Sequence, residues 1–382
     1  MVLATWIAVT QLLFVTTWTL YVVYLPQLAA QAGVPKHWVP WILVADQLVF
    51  ALTDVATGFW LDRVRSGLAR IGPWMLGVTA ISCIAFLVLP FAGARSGLLL
   101  GAIAVWAVTS AALRSPPWVL LSRHAATPSI PWLSTLVLTG TAVGSALAPY
   151  LGIAMRGVDP RVPFVLSSLT LVATLGGLVV AERRRTSEAS GETQPAGTPS
   201  PSGLFLALAF LALGIQAHYS LNSAPRYLQF ASPATLAYLM PVFWVGFNLL
   251  MFAGARLVKR IGTGDAMALA AACGAIATLA AALAPNLSAL LVAQFLAGGC
   301  WGVALVAAYT AAVALGRTGR EGRFLGALFA VLAAAVALRI AAVTTGAERE
   351  PSFSALLPWL PEAAWLTAAL LLLAAKRPSR TA

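Results

Sequence analysis

Residues 58–67 read Gly58-Phe59-Trp60-Leu61-Asp62-Arg63-Val64-Arg65-Ser66-Gly67, a short charged turn between two long apolar runs. Two apolar helices joined by so short a connection must be antiparallel neighbours. A turn carrying Asp62, Arg63, Arg65 and, just beyond, Arg70 belongs at a membrane surface, where charge keeps its water. The flanking runs then lie inside the bilayer.

Composition agrees with that placement. Hydrophobic residues make up 60% of the 382 and charged residues 9%, where soluble domains carry about a quarter; the mean hydropathy is +0.87. Cutting at charge and at Pro/Gly clusters leaves apolar segments near 5–28, 38–60, 73–92, 97–120, 129–153 and 163–181, then 203–228, 234–256, 264–284, 288–315, 322–344 and 354–375. Each approaches the ~20 residues that span a hydrocarbon core. The first has neither a basic start nor a small-residue cleavage site, so it reads as a retained helix. The expected fold is an all-α membrane protein of twelve transmembrane helices in two six-helix bundles, residues 1–181 and 203–382. Residues 182–202, with Arg183-Arg184-Arg185 followed by Ser, Thr, Glu, Gly and Pro, cannot build a core and read as a flexible linker.

The net charge of +12 is scattered over short loops with no dense basic cluster, which argues against a nucleic-acid partner. Sorted by loop, 16 Lys/Arg fall on the side of the 58–67 turn and 6 on the other, so both termini are expected in the cytoplasm. Arg114 and Arg339 lie within helices. Cys83, Cys273 and Cys300 sit far apart in apolar runs without metal-type spacing, and neither a metal nor an organic cofactor is expected. No phosphate-binding Gly-x-x-x-x-Gly-Lys-Ser/Thr, His-Glu-x-x-His or Gly-x-Ser-x-Gly occurs, so the chain is not read as an enzyme and its energy must come from a gradient. An internal echo supports two halves: Gly254-Ala-Arg-Leu-Val-Lys-Arg260 follows the eighth segment as Gly58-Phe-Trp-Leu-Asp-Arg follows the second, with Val258 in the place of Asp62.

With these features the chain resembles the major facilitator superfamily, whose loop between helices 2 and 3 carries Gly-x-x-x-Asp-Arg/Lys-x-Gly-Arg-Arg/Lys. Gly58, Asp62 and Arg63 match that pattern; Arg65 stands where the family prefers Gly, and Ser66 and Gly67 replace the final basic pair. The resemblance implies a secondary transporter whose halves rock around a central cavity. It also implies a gate in which Gly58 lets helices 2 and 11 approach and Asp62, with Arg63, pairs charge on the opposite half. The competing reading is that these charges only fix orientation.

Ionisable groups inside the hydrocarbon are expensive and need partners, which makes each a candidate. Asp46 lies sixteen residues before Asp62, about 24 Å along a helix, and either carries a coupling proton or faces water in the outer vestibule. Asp54 lies about 12 Å from the turn and fits the gate, bonded to helix 4 or 11. Arg114 precedes Pro116 and Pro117, which disturb the helix; it either binds an anionic substrate or forms a salt bridge, with Asp54 as the nearest acid. Exporters of the superfamily carry an Arg in helix 4 linked to proton transfer, which Arg114 resembles in place. Arg339 either snorkels outward or gives the cavity positive charge.

His218, Asn222 and Arg226 recur every fourth residue, a face expected to look into the cavity, and Pro225 would free the carbonyl of Leu221. Histidine titrates near neutral pH, so His218 is a second candidate proton carrier, against a satisfied core histidine. Tyr21, Asn248 and Trp301 are cavity candidates by their mid-span position; Trp38, Trp41, Trp74, Trp118 and Trp359 read as an interfacial belt. The expected function is a proton-coupled transporter of a small organic solute, an organic anion or amphiphile favoured, acting as a monomer in a bacterial inner membrane. The partners are then the lipid bilayer, the small-molecule substrate and protons. A drug or metabolite exporter by proton antiport and a transport-dead receptor or scaffold are the alternatives.

Overall fold

A computed structural model describes residues 1–64, 68–183, 198–317 and 319–375. Twelve of its helices are long and apolar enough to cross a membrane: α1 Val2–Gln31, α2 Lys36–Arg63, α3 Ile71–Phe91, α4 Ser96–His124, α5 Ile130–Ala154, α6 Arg161–Glu182, α7 Pro201–Tyr227, α8 Pro233–Ile261, α9 Thr263–Ala282, α10 Leu287–Gly316, α11 Glu321–Thr345 and α12 Pro351–Ala374. No strand occurs among the described residues. Arg65, Ser66 and Gly67 of the turn and residues 184–197 of the expected linker lie outside them.

The largest departure from the expected boundaries is at α8, which runs on through Arg256, Lys259 and Arg260 and stops at Gly262, where φ is 86°. Basic residues in a last turn complement the negative end of the helix dipole, and a glycine takes the left-handed step that ends it. Charge there marks the membrane surface and not the end of the helix.

Helix packing repeats with a shift of six helices. In the first half α1 packs on α5 and α6, α3 on α4 and α6, and α2 on α4; in the second, α7 packs on α11 and α12, α9 on α10 and α12, and α8 on α10. The repeat reaches individual side chains: Ile81, Ile84, Ala85 and Val88 of α3 wall a groove against α4, and Cys273, Ile276, Ala277 and Ala280 of α9 wall its counterpart against α10 at the same spacing. The halves meet along two seams that are images of one another, α2 on α11 and α5 on α8.

At the turn end the α2–α11 seam is closed backbone to backbone. A Cβ on Gly58 would collide with the carbonyl of Gly322, and one on Gly326 with the carbonyl of Asp54. Such contacts cannot give way as a flexible side chain can, so small residues are required on both helices. Gly58→Val is therefore expected to prevent closure. The readout is thiol-reagent labelling of Ala125→Cys at this end in a cysteine-free background, expected to rise about tenfold for a seam opened by an overpacking cost of a few kcal/mol; unchanged labelling would show that the seam tolerates the bulk.

Trp118 departs from its expected place in the interfacial belt. It is buried and stacks on Tyr309 of α10 at 4.1 Å and 14°. The reason is that α4 continues past it to His124, so the ring lies between the halves, against α10.

Candidate functional site

The turn end carries the first constellation. Asp62, in the last turn of α2, accepts the Gly322 N–H on Oδ1 at 2.7 Å and the Arg323 N–H on Oδ2 at 3.2 Å, and Arg323 Nε lies 3.1 Å from Oδ2. The first turn of a helix has unsatisfied N–H groups and the positive end of the dipole, so a carboxylate binds there well. Asp62 thus caps a helix of the opposite half. Beside it, Arg317 of the α10–α11 connection donates to the carbonyl of Ala125 at 2.8 Å, a second tie across the halves, while Arg123 donates to the carbonyl of Leu61 at 3.2 Å within its own half. Arg63, expected in the gate, is exposed; the guanidinium paired with Asp62 belongs to Arg323.

Eight residues earlier on α2, Asp54 is fully buried with Oδ2 3.2 Å from Arg114 Nη1. The Arg114 guanidinium lies 5.5 Å from the ring of Phe50 on α2 and 4.9 Å from that of Phe329 on α11. It reaches this point because α4 is two helices, Ser96–Ala112 and Pro116–His124, meeting at a turn where the proline pair interrupts the ladder. Of the roles open to Arg114, the ion pair with Asp54 is the one this geometry forms.

Asp46 does not face an open vestibule. It is 3% exposed, and its Oδ2 accepts the hydroxyl of Tyr21 at 2.6 Å. Tyr21, expected in the cavity, is likewise buried, against Trp18 at 5.4 Å and Trp106 at 4.6 Å. The two form a polar pair inside an aromatic layer of α1, α2 and α4.

The face expected of His218, Asn222 and Arg226 does not exist. Residues Gln216–Asn222 wind as a π-helix, whose i→i+5 bonding displaces the four-residue register. His218 is buried in the α7–α10 seam with Nε2 3.0 Å from Gln294 Oε1; Gln294 Nε2 donates to Ser223 Oγ at 2.8 Å, which donates to the carbonyl of His218 at 2.8 Å. That closed ring assigns the proton to Nε2. Asn222 donates to the carbonyl of Leu357 in α12 at 2.8 Å, and Arg226 to those of Ala281 and Ala284 at the end of α9 at 3.3 and 2.6 Å, so both are spent on backbone carbonyls. Trp301 is also no cavity residue: it is buried with its ring 6.2 Å from that of Trp365. Asn248 is half-buried and donates to its own helix at the carbonyl of Trp244, 2.9 Å away.

Toward the opposite end a cleft of about 430 Å³ is walled by α1, α2 and α11, among its residues Trp18, Val22, His37, Leu43, Val336 and Arg339. Arg339 Nε donates to Gln216 Oε1 at 3.1 Å, and no ion pair involves it among the described residues. Sequence reasoning missed Arg323, Gln216, Ser223 and Gln294. A usable signal for the first was the spacing Gly322-x-x-x-Gly326, which matches Asp54-x-x-x-Gly58 on the helix it meets.

A family profile described as Major Facilitator Superfamily matches residues 7–339. The chain belongs to that superfamily. Its fold is shared by the human organic anion transporter MFSD10 (15% identity, 98% of each chain, TM-score 0.72) and by a bacterial homologue of the iron transporter ferroportin in an outward-facing state (13% identity, 98% of this chain and 99% of the other, TM-score 0.73). The E. coli fucose:proton symporter FucP is similar at 13% identity over 98% of each chain, with a TM-score of 0.71. No curated protein matches the sequence. Superfamily membership makes this chain a membrane transporter and not an enzyme.

Proposed function

We propose that the protein is a proton-coupled secondary transporter of a small organic solute, an organic anion or amphiphile favoured, working by alternating access in a bacterial inner membrane. The observation that carries this reading is the contrast between the two ends of one seam: Asp62 seals α2 to α11 at the turn end, while a cleft lined by both helices and by α1 lies toward the other. The excess of Lys and Arg on the turn side puts that end, both termini and the linker in the cytoplasm, so the sealed state faces outward. Residues 1–181 and 203–382 are the two rocking bodies of a monomer. Similarity to a chain solved in an outward-facing state and to a proton symporter supports the reading.

Asp46 is the candidate proton carrier. It is an acid buried within the span, bonded to Tyr21, whose ring neighbours Trp18 on the cleft wall. His218, enclosed with Gln294 and Ser223, is the weaker candidate because the cleft does not reach it.

The test is uptake and counterflow in proteoliposomes with an imposed proton gradient, screening pooled organic anions, amino acids and drugs by mass spectrometry. The wild type is expected to move an anion under the gradient. Asp46→Asn is expected to retain counterflow and lose at least about tenfold of gradient-driven uptake, as expected where one carboxylate couples the flows. Exit against an inward proton gradient would identify the antiport alternative; no flux in either orientation would leave a receptor or scaffold.

A further inference from the structure

Arg339 stands out among the described residues as a cation within the span with a single hydrogen bond, to a neutral group. Arg114 and Asp54 neutralise each other, and Arg226 is absorbed by backbone carbonyls. Arg339 gives Nε to the amide of Gln216 and lines a cleft whose other walls are largely apolar, with Trp18, Val22, Leu43, Val336 and Ile340 around it. An unneutralised guanidinium at membrane depth is costly, and such groups mark substrate pathways. A mostly apolar cavity with a few polar groups, here Arg339, His37 and Thr344, is also the usual form of a small-molecule site, and this one falls within the usual size range of about 300–1,000 Å³.

Building on the transport reading, we infer that the cleft is the substrate seat and takes a hydrophobic monoanion, its carboxylate on the Nη groups of Arg339 and its apolar body against Trp18 and the aliphatic wall. A planar guanidinium whose Nε is already occupied still presents Nη donors in the geometry a carboxylate matches. Arg339 is the one permanent cation on the wall, beside His37, and calls for one negative charge, and the apolar walls exclude a strongly hydrated solute. Gln216 is the positioning residue: its Oε1 holds Arg339 and also accepts from Ser220 at 3.3 Å, and it opens the π-helical stretch of α7. Occupancy at Arg339 therefore bears on the irregular segment of α7, which packs on α11 within the same half.

The experiment is equilibrium dialysis of the full chain in phosphatidylcholine nanodiscs with three probes: 1-naphthaleneacetate, its neutral amide 1-naphthaleneacetamide, and acetate. Naphthaleneacetate is expected to bind saturably, with the amide and acetate each at least about tenfold weaker, the usual scale of a lost charge-assisted bond or of a lost apolar body. Arg339→Gln is expected to lose at least about tenfold, and Gln216→Glu as much, because the new carboxylate would occupy the guanidinium from within. Trp18→Ala should lose several-fold by removing apolar contact. The inference is overturned if the wild type shows no saturable binding, if the amide binds as well as the acid, or if the Arg339→Gln and Gln216→Glu variants, eluting as folded protein, bind like the wild type. Should either variant fail to fold, the acid-to-amide comparison on the wild type decides. Loss of binding when phosphatidylglycerol replaces phosphatidylcholine would show that a lipid headgroup occupies Arg339, which also overturns it. Binding without flux keeps this seat and removes the transport reading; flux of another solute untouched by Arg339→Gln does the reverse.

Discussion

Arg114→Gln is expected to lower the unfolding free energy by about 3 kcal/mol, the lower end of the range for removing one partner of a buried ion pair. The lower end applies because the Arg114 side chain keeps 23% of its exposure while Asp54 keeps none. The loss comes from what remains: an Asp54 carboxylate enclosed beneath α11, its backbone pressed against Gly326, with no other cation bonded to it among the described residues. The lost stacking between Phe50 and Phe329 adds to it. Asp54→Asn should act in the same direction by leaving the guanidinium unmatched. The double variant Asp54→Asn/Arg114→Gln should recover most of the loss, since two neutral amides can satisfy one another. Denaturant unfolding of purified protein checks this, and single variants within about 0.5 kcal/mol of the wild type, the range of ordinary surface changes, would show that the pair bears no such load.

Asp62→Asn should unseal the turn end. The substitution removes the charge facing Arg323 and places an N–H donor where two backbone N–H groups now converge, so charge-assisted bonds are lost and donors are set against donors. A loss of about 2–3 kcal/mol from the sealed state would shift its balance with the open one by about 30- to 150-fold. Spin labels at Ala126→Cys and Arg320→Cys, one on each half, should then report a second, longer distance that is absent in the parent. Arg323→Gln should have a smaller effect, because the Arg323 side chain is 45% exposed and its pair is screened. An unchanged distance distribution in Asp62→Asn would mean that apolar packing alone holds this end shut.

The fold was legible because hydrocarbon allows few solutions. Twelve runs of sufficient length, a charged turn after the second and its echo after the eighth left little choice, and the α2–α11 approach came with the family resemblance that Gly58, Asp62 and Arg63 carry. The site was less legible. Four-residue spacing put His218, Asn222 and Arg226 on one face only while α7 was assumed regular, and no residue pattern announced the π-helical winding, though Pro225 marked the neighbourhood. Mid-span position suggested Tyr21 and Trp301 as cavity residues, but position along a helix does not say which way a side chain points, and both point into their own half. Arg323 was counted only as loop charge because it became a partner of Asp62 through the docking of two distant helices.

The two seams are images in layout but not in chemistry. Helices α5 and α11 are each 25 residues long, and where α11 begins Glu321-Gly322-Arg323, α5 begins Ile130-Pro131-Trp132. Pro131 has no N–H to offer a carboxylate, Trp132 lies against Phe252 of α8 at 5.6 Å, and Val258 stands where the other copy has Asp62. Tyr150 and Tyr238 close the far end of the same seam at 5.7 Å. One edge of the molecule is thus held by ions and the other by oil, like a door with a bolt on one jamb and a hinge on the other. Dissolved salt weakens the bolt, whereas apolar side chains packed inside lipid offer no charge to screen and no water to expel, so the ionic medium beside the membrane acts on one edge and leaves the other alone.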